Sequence, residues 1–160
     1  VVSVSVHRLT RAQTIHASEE DCWAFFSNPL NLARITPASL DFRIKSELPR
    51  EIYPGLMIEY QVRPLLGIPV TWLTEITHVE PRRYFVDEQR VGPYKVWHHE
   101  HFFRPVGEGR MEICDTVYYA MPMGWLGDIV HELVVKGELR EIFGYRERAV
   151  REIFGKAGAA

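Results

Sequence analysis

The chain has 160 residues, with 19 Lys plus Arg against 21 Asp plus Glu, for a net charge of −2. Near-even charge without basic runs argues against nucleic acid as a partner, and 46% apolar content excludes a disordered or collagen-like chain. No apolar run approaches the ~20 residues of a membrane span. One domain covering residues 1–160 is the default at this length. Cys22 and Cys114 form neither a metal-ligand spacing nor a disulfide framework, which suits a reducing compartment and a cytoplasmic location. The aromatic content is high, with 4 Trp, 7 Tyr and 8 Phe. Those rings have to line something.

The start, Val1-Val2-Ser3-Val4-Ser5-Val6, alternates like a strand and has neither the basic region nor the cleavage site of a signal peptide. Residues 6–17 continue as a strand, in which β-branched residues alternate loosely with Arg and Gln. Ser18-Glu19-Glu20-Asp21 is a helix entry, a hydroxyl cap followed by acids at the positive end of the dipole. Asn28-Pro29 stops that helix, and residues 30–35 make a second short one that ends at Thr36-Pro37. Six strand-like runs follow at 40–46, 55–63, 70–79, 83–91, 94–104 and 111–120, with Pro and Gly between them. Short connections make them an antiparallel meander. By parity Trp72, Thr74 and Ile76 share a face, as do Phe85, Asp87 and Gln89. Trp97, His99, His101 and Phe103 form a third set, and Asp115, Val117 and Tyr119 a fourth.

Residues 125–154 are helical in pattern but carry two opposed apolar faces. Leu126, Val130, Leu133 and Val134 form one; Val135, Leu139, Ile142, Phe143, Val150, Ile153 and Phe154 form the other. A short helix, a bend near 133–137 and a longer helix account for both. Arg146 falls within the second stripe, an unusual place for a guanidinium. The fold class is therefore α+β: a curved antiparallel sheet of six to seven strands around a long C-terminal helix, with two short helices after the first strand. The helix covers the apolar face of the sheet, and the gap where the sheet curves away is a place for a ligand.

Several runs resemble the SRPBCC superfamily of START-like, polyketide cyclase-like and lipid-binding proteins, and in particular its ligand-binding bacterial branch. They are Glu20-x-x-Trp23-x-Phe25-Phe26-Ser27-x-Pro29-x-Asn31-Leu32, Ile35-Thr36-Pro37 and Trp72-x-x-x-Ile76. Further on come Phe85-x-Asp87-x-Gln89-x-x-Gly92-Pro93-Tyr94-x-x-Trp97-x-His99-x-His101-x-Phe103, Asp115-x-Val117-x-Tyr119 and Leu139-x-x-Ile142-Phe143-x-Tyr145-Arg146. The resemblance implies the helix-grip fold and a hydrophobic cavity for a lipid, aromatic or polyketide-like ligand. It does not fix the chemistry, because superfamily members range from carriers to cyclases. Rieske cysteine–histidine pairs are missing, which excludes the ring-hydroxylating branch.

The candidate ligand-binding residues are Tyr60, Trp72, Phe85, Asp87, Gln89, Trp97, His99, His101, Asp115, Tyr119 and Arg146. The aromatic members would hold an apolar body, and the polar ones would fix its polar end. His99, His101, Asp87 and Asp115 are also the candidate catalytic residues, since a carboxylate beside an imidazole sets its tautomer and basicity. The plainer alternative is that they satisfy one another in a cavity wall. Arg146 either receives an anion or extends its guanidinium to solvent. His99-x-His101 with Asp87 or Asp115 also has the makings of a metal site, but the glutamate of a cupin-type centre is missing after the pair. Neither a metal nor another cofactor is expected. Loops 63–69 and 121–126 are apolar enough to border a cavity mouth, with a membrane surface or a partner as alternatives. The expected partner is a small hydrophobic ligand, together with at most a weak homodimer.

Overall fold

The computed structural model describes residues 4–64 and 67–155. Strand β1 (His7–His16) leads into helix α1 (Glu19–Phe26), which is followed by 3-10 turns at Pro29–Ile35 and Ala38–Leu40. Strands β2 (Arg43–Ile44), β3 (Met57–Val62), β4 (Val70–Glu80), β5 (Tyr84–Val91), β6 (Val96–Gly107) and β7 (Arg110–Ala120) come next. The chain ends in α2 (Trp125–Val130), a π turn (His131–Val135) and α3 (Lys136–Phe154). The seven strands form one antiparallel sheet in the order β1-β7-β6-β5-β4-β3-β2. Among the described residues no helix is long and apolar enough to cross a membrane.

Local chemistry explains the opening. Ser18 is extended at the N-cap, and its Oγ accepts from the Asp21 backbone N–H at 3.0 Å, ahead of three acids in the first turn. Ser18→Ala should therefore lower stability by about 1 kcal/mol in chemical denaturation; an unchanged midpoint would show that the cap contributes nothing. The Asn28 side chain accepts from the Leu30 N–H at 3.1 Å and starts the second helical segment, which is 3-10 rather than α. The paired face buries Trp23, Phe25 and Phe26 against Phe85, Phe103 and Met111.

Three strand boundaries differ from the sequence reading. The run expected at 40–46 is extended and paired only at Arg43–Ile44. Leu40 closes a 3-10 turn, and Asp41, at φ 43°, turns the chain while its carboxylate binds Arg43 and Arg63 at 2.9 Å each. Strand β6 runs through Pro105 instead of stopping there, because a bulge between Pro105 and Gly107 takes up the missing N–H. At the start, β1 begins at His7; Val4 to Val6 lie in no regular element, and residues 1–3 of the alternating run lie outside the described residues.

Helicity is continuous from Trp125 to Phe154, with a π turn at His131–Val135 beside the 133–137 stretch where the sequence pattern predicts a bend. The turn brings Gly127, His131, Val135, Leu139, Phe143 and Val150 into the interior. The first apolar set is split: Val130 is half-buried against the core that holds Val135 and Leu139, whereas Leu126, Leu133 and Val134 face outward together with Met123, Trp125 and Ile129. Gly127 lets this segment dock, since a Cβ there would lie 2.1 Å from the Pro122 carbonyl oxygen.

Candidate functional site

The strand parity read from sequence brings the predicted groups together. Cross-strand register sets Asp87 opposite His99, Phe85 opposite His101, His101 opposite Asp115 and Tyr60 opposite Trp72. These pairs project to the face covered by α3. Between sheet, α3 and the Pro29–Ile35 turn lies a hollow of about 190 Å³. Its wall is mostly apolar, with Phe25, Ile58, Ile76, Phe85, Leu139 and Phe143 among the lining residues. Tyr60, Trp72, Tyr94 and Trp97 close one side as an aromatic group: Trp72 and Trp97 meet edge to face at 5.2 Å, and Tyr94 lies 4.8 Å from Trp97. Burial pushes the phenol pKa values of Tyr60 and Tyr94 upward, so both rings stay neutral.

The polar groups gather at one place. His99 and His101 are buried, with ring centroids 3.7 Å apart. Toward the cavity, Asp87 Oδ2 lies 2.7 Å from His101 Nε2 and 3.5 Å from His99 Nδ1. On the other side a single oxygen, Asp115 Oδ1, is hydrogen-bonded to His99 Nε2 at 3.1 Å and Arg146 Nη2 at 3.2 Å and lies 2.9 Å from His101 Nδ1, to which Arg146 Nη2 also donates at 3.3 Å. Asp87, His99, His101 and Arg146 line the hollow; Asp115 does not, and sits behind them. Arg146 thus turns inward, where it also lies over the Phe26 ring.

Electrostatics divides the two histidines. Burial works against a charge on His101, but its bonds to Asp115 and Asp87 outweigh that and hold its pKa above the ordinary value. His99 goes the other way, because burial and its neighbour His101 together outweigh its bond to Asp115. Burial alone would raise both carboxyl pKa values. For Asp115, Arg146 and the imidazoles reverse this and hold it well below the carboxylate range; for Asp87, the bond from His101 leads a smaller reversal.

Besides Asp115, two residues expected in the pocket serve elsewhere. The Gln89 amide clamps the turn that follows it, donating to the Tyr94 carbonyl at 2.6 Å and accepting from the Tyr94 N–H at 3.2 Å. Gly92 leaves room for that clamp, since a Cβ would lie 2.3 Å from Gln89 Oε1. Gln89 therefore places Tyr94 on the cavity without lining it. Tyr119 is hydrogen-bonded through its hydroxyl to His131 Nε2 at 2.8 Å, and His131 stacks on His7 at 3.6 Å. Tyr119 thus fastens the π turn to the sheet. Of the two loops expected at a cavity mouth, the first contributes Pro64 to the lining, with Leu65 and Leu66 outside the described residues, and no residue of 121–126 lines the hollow. Asn28, Asn31, Leu32, Ile35 and Thr36 line it instead, a role the sequence reading did not assign. The helix-stop signal at Asn28-Pro29 was the available clue. Cys22 is buried and its thiol is pushed up to about 12, chiefly by burial; Cys114 is half-buried, and both are free.

Glu138, next to Leu139 on α3, is raised to about 7 by partial burial and then by Glu141. A raised carboxyl pKa means that the ionised form destabilises the fold above that value, and that the penalty vanishes below the unfolded value near 4.5. Glu138→Gln should therefore raise the unfolding free energy slightly at about pH 8, by less than about 1 kcal/mol given its exposure, and leave it unchanged at about pH 4. Equal effects at both would refute the assignment.

No family model matches the sequence, and no curated protein matches it either. Solved structures do. The Thalictrum flavum norcoclaurine synthase in complex with dopamine and hydroxybenzaldehyde is 17% identical, with a TM-score of 0.66 over 98% of this chain and 92% of that one. TTHA0849 from Thermus thermophilus is 15% identical, with a TM-score of 0.69 over 91% of this chain and 95% of that one. The chain has the helix-grip fold. Major latex-like protein 151 from Panax ginseng shares it as well, at 11% identity and a TM-score of 0.67 over 94% of this chain and 98% of that one. In this chain the histidine group lies between the long helix and the sheet.

Proposed function

We propose that the protein binds a small, largely apolar molecule beneath α3, with the ligand's polar end at Asp87, His99, His101 and Arg146. The observation that carries this reading is the convergence of four buried or nearly buried polar side chains at one spot of an otherwise apolar hollow. Size narrows the ligand class. A hollow of 190 Å³ exceeds the roughly 150 Å³ that takes benzene and falls short of the roughly 300–1000 Å³ of drug-sized sites. That favours one or two rings, or a medium acyl chain, over a long lipid or a large polyketide. The helix-grip neighbour holding dopamine and hydroxybenzaldehyde supports a ligand of that scale.

The test is a panel of phenols, aryl aldehydes, aryl carboxylic acids and medium-chain fatty acids, read by native mass spectrometry and thermal shift. A one-to-one adduct with a rise in melting temperature is expected; at about 100-fold over Kd the stabilisation is about 2.7 kcal/mol. Failure of the whole panel would overturn the reading.

A cyclase or dehydratase is the second reading, favoured by the placement of both imidazoles on the cavity wall within reach of a bound molecule. His99→Ala and His101→Ala separate the two: in a carrier they change affinity alone, whereas an enzyme loses turnover with binding little changed. The proposal includes a cytoplasmic location, supported by two free thiols, and at most weak self-association. The latter is supported by the outward apolar strip of Met123, Trp125 and Leu133. Concentration-dependent sedimentation checks it.

A further inference from the structure

We propose that Asp87, His99 and His101 form a binding site for one divalent first-row transition metal ion, such as Zn²⁺ or Fe²⁺, open toward the cavity. One donor atom from each of the three lies within 4.8 Å of the others, and among the described residues this is the one such group. The carboxylate-to-imidazole separations of 2.7 and 3.5 Å bracket the roughly 3.3 Å between ligands that each lie about 2.0–2.1 Å from a tetrahedral ion. Two histidines and one carboxylate on one side, with the remaining positions open, are the ligand set of catalytic zinc and non-haem iron sites.

The groups behind the three carry the inference further. A metal-bound imidazole usually donates its other N–H to a carboxylate, which fixes its tautomer and orientation. Here His99 Nε2 is hydrogen-bonded to Asp115 Oδ1 at 3.1 Å, and His101 Nδ1 lies 2.9 Å from the same oxygen and 3.3 Å from Arg146 Nη2, which also bonds that oxygen. The other ring nitrogens, His99 Nδ1 and His101 Nε2, both face Asp87 Oδ2, and a bound ion would take the place of the proton shared between His101 Nε2 and that oxygen. Simple mutual satisfaction of polar groups does not require one carboxylate to serve the rear of both rings while a second faces their front.

Charge then names the occupant of the open position. Two carboxylates against one guanidinium leave one net negative charge beside the neutral imidazoles a metal requires. A divalent ion then leaves one net positive charge. The ligand that completes the site is therefore an anionic oxygen: hydroxide, or the carboxylate, phenolate or enolate end of the cavity's guest. A bound ion also takes up the His99 lone pair that a general base needs, so the metal site and the metal-free acid–base reading exclude each other. The inference goes beyond the ligand-binding proposal and does not depend on it.

The experiment adds Zn²⁺ or Co²⁺ alone to protein dialysed against a chelator. Calorimetry reads stoichiometry, and the visible d–d absorption of Co²⁺ reads coordination. We expect one equivalent to bind, with a spectrum of low-coordinate nitrogen–oxygen ligation. Affinity should fall by about 100-fold or more in His99→Ala, His101→Ala and Asp87→Asn, and by about 10–100-fold in Asp115→Asn. His98→Ala is the control: His98 lies on the opposite face of the same strand, bonded to Glu88 at 2.7 Å, and its loss should change nothing. Absence of stoichiometric binding to the wild-type chain overturns the proposal, as does binding that survives His99→Ala or disappears in His98→Ala. The wild-type cobalt spectrum decides without any variant, so a misfolded mutant does not obscure the result. Ligand binding in the panel above without metal uptake would sink this inference and leave the other intact.

Discussion

Arg146→Met should lower the melting temperature by about 10 °C or more, the largest stability effect expected for a single change at the site. Arg146 is seated among Phe26, Phe143 and the sheet, and its Nη2 lies 3.2 Å from Asp115 Oδ1. Methionine keeps much of the apolar stem, so packing is largely preserved and what is lost is the counter-charge. The Asp115 carboxylate is then left buried with two imidazoles that must also serve Asp87. Removing one partner of a buried pair costs about 3–5 kcal/mol, because the other charge stays desolvated. Asp115→Asn added to Arg146→Met should recover part of the loss, since it removes the stranded charge. Chemical denaturation of the three proteins checks both statements. A single-variant loss below about 1 kcal/mol, or a double variant no better than the single, would show that Arg146 does not hold the group together.

Much of this arrangement was legible in the sequence, for a definite reason. Side chains alternate across a strand, so Trp97, His99, His101 and Phe103 had to share a face whatever the register, and a meander had to put Asp87 and Asp115 on the strands to either side. Arg146 stood out because a guanidinium within an apolar stripe needs a buried partner. What parity cannot give is depth. Asp87 and Asp115 look equivalent in sequence, yet one borders the hollow and the other lies behind the imidazoles, a difference set by sheet curvature and by the position of Arg146 above Asp115. Gln89 shares its parity with Asp87, but the Gly92-Pro93 turn brings the backbone of Tyr94 to its amide, and a local bond to a turn takes precedence over the cavity. The outward apolar residues of α2 and the π turn, Leu126, Leu133 and Val134, depart from the count for another reason. A 3.6-residue count assumes a uniform helix, and the π turn at His131–Val135 puts one extra residue into the phase before Leu139 is reached. The stacked pair His7 and His131 marks where that turn is fixed to the sheet, and residues so far apart in the chain gave no local signal.

The hollow itself can be closed from above, and this gives the largest expected effect on binding. Leu139 is buried on the underside of α3, lines the cavity, and packs with Val135 and Phe143 over Val117 and Tyr119. Leu139→Trp puts an indole where an isobutyl group stood, and the space open to it is the hollow rather than the close-packed sheet. The added bulk competes directly with a guest in 190 Å³, so affinity for whichever panel member binds the wild type should fall by about 100-fold or more, near 2.7 kcal/mol. Overpacking typically destabilises by about 1–3 kcal/mol, which leaves a folded protein. Leu133→Ser on the outward face of the same helical run, at a residue 79% exposed, serves as the comparison and should leave affinity unchanged. Titration calorimetry on the two variants separates the outcomes. If Leu139→Trp binds as tightly as the wild type while remaining folded, the guest lies elsewhere; if Leu133→Ser also loses affinity, the outward strip rather than the hollow is the binding surface.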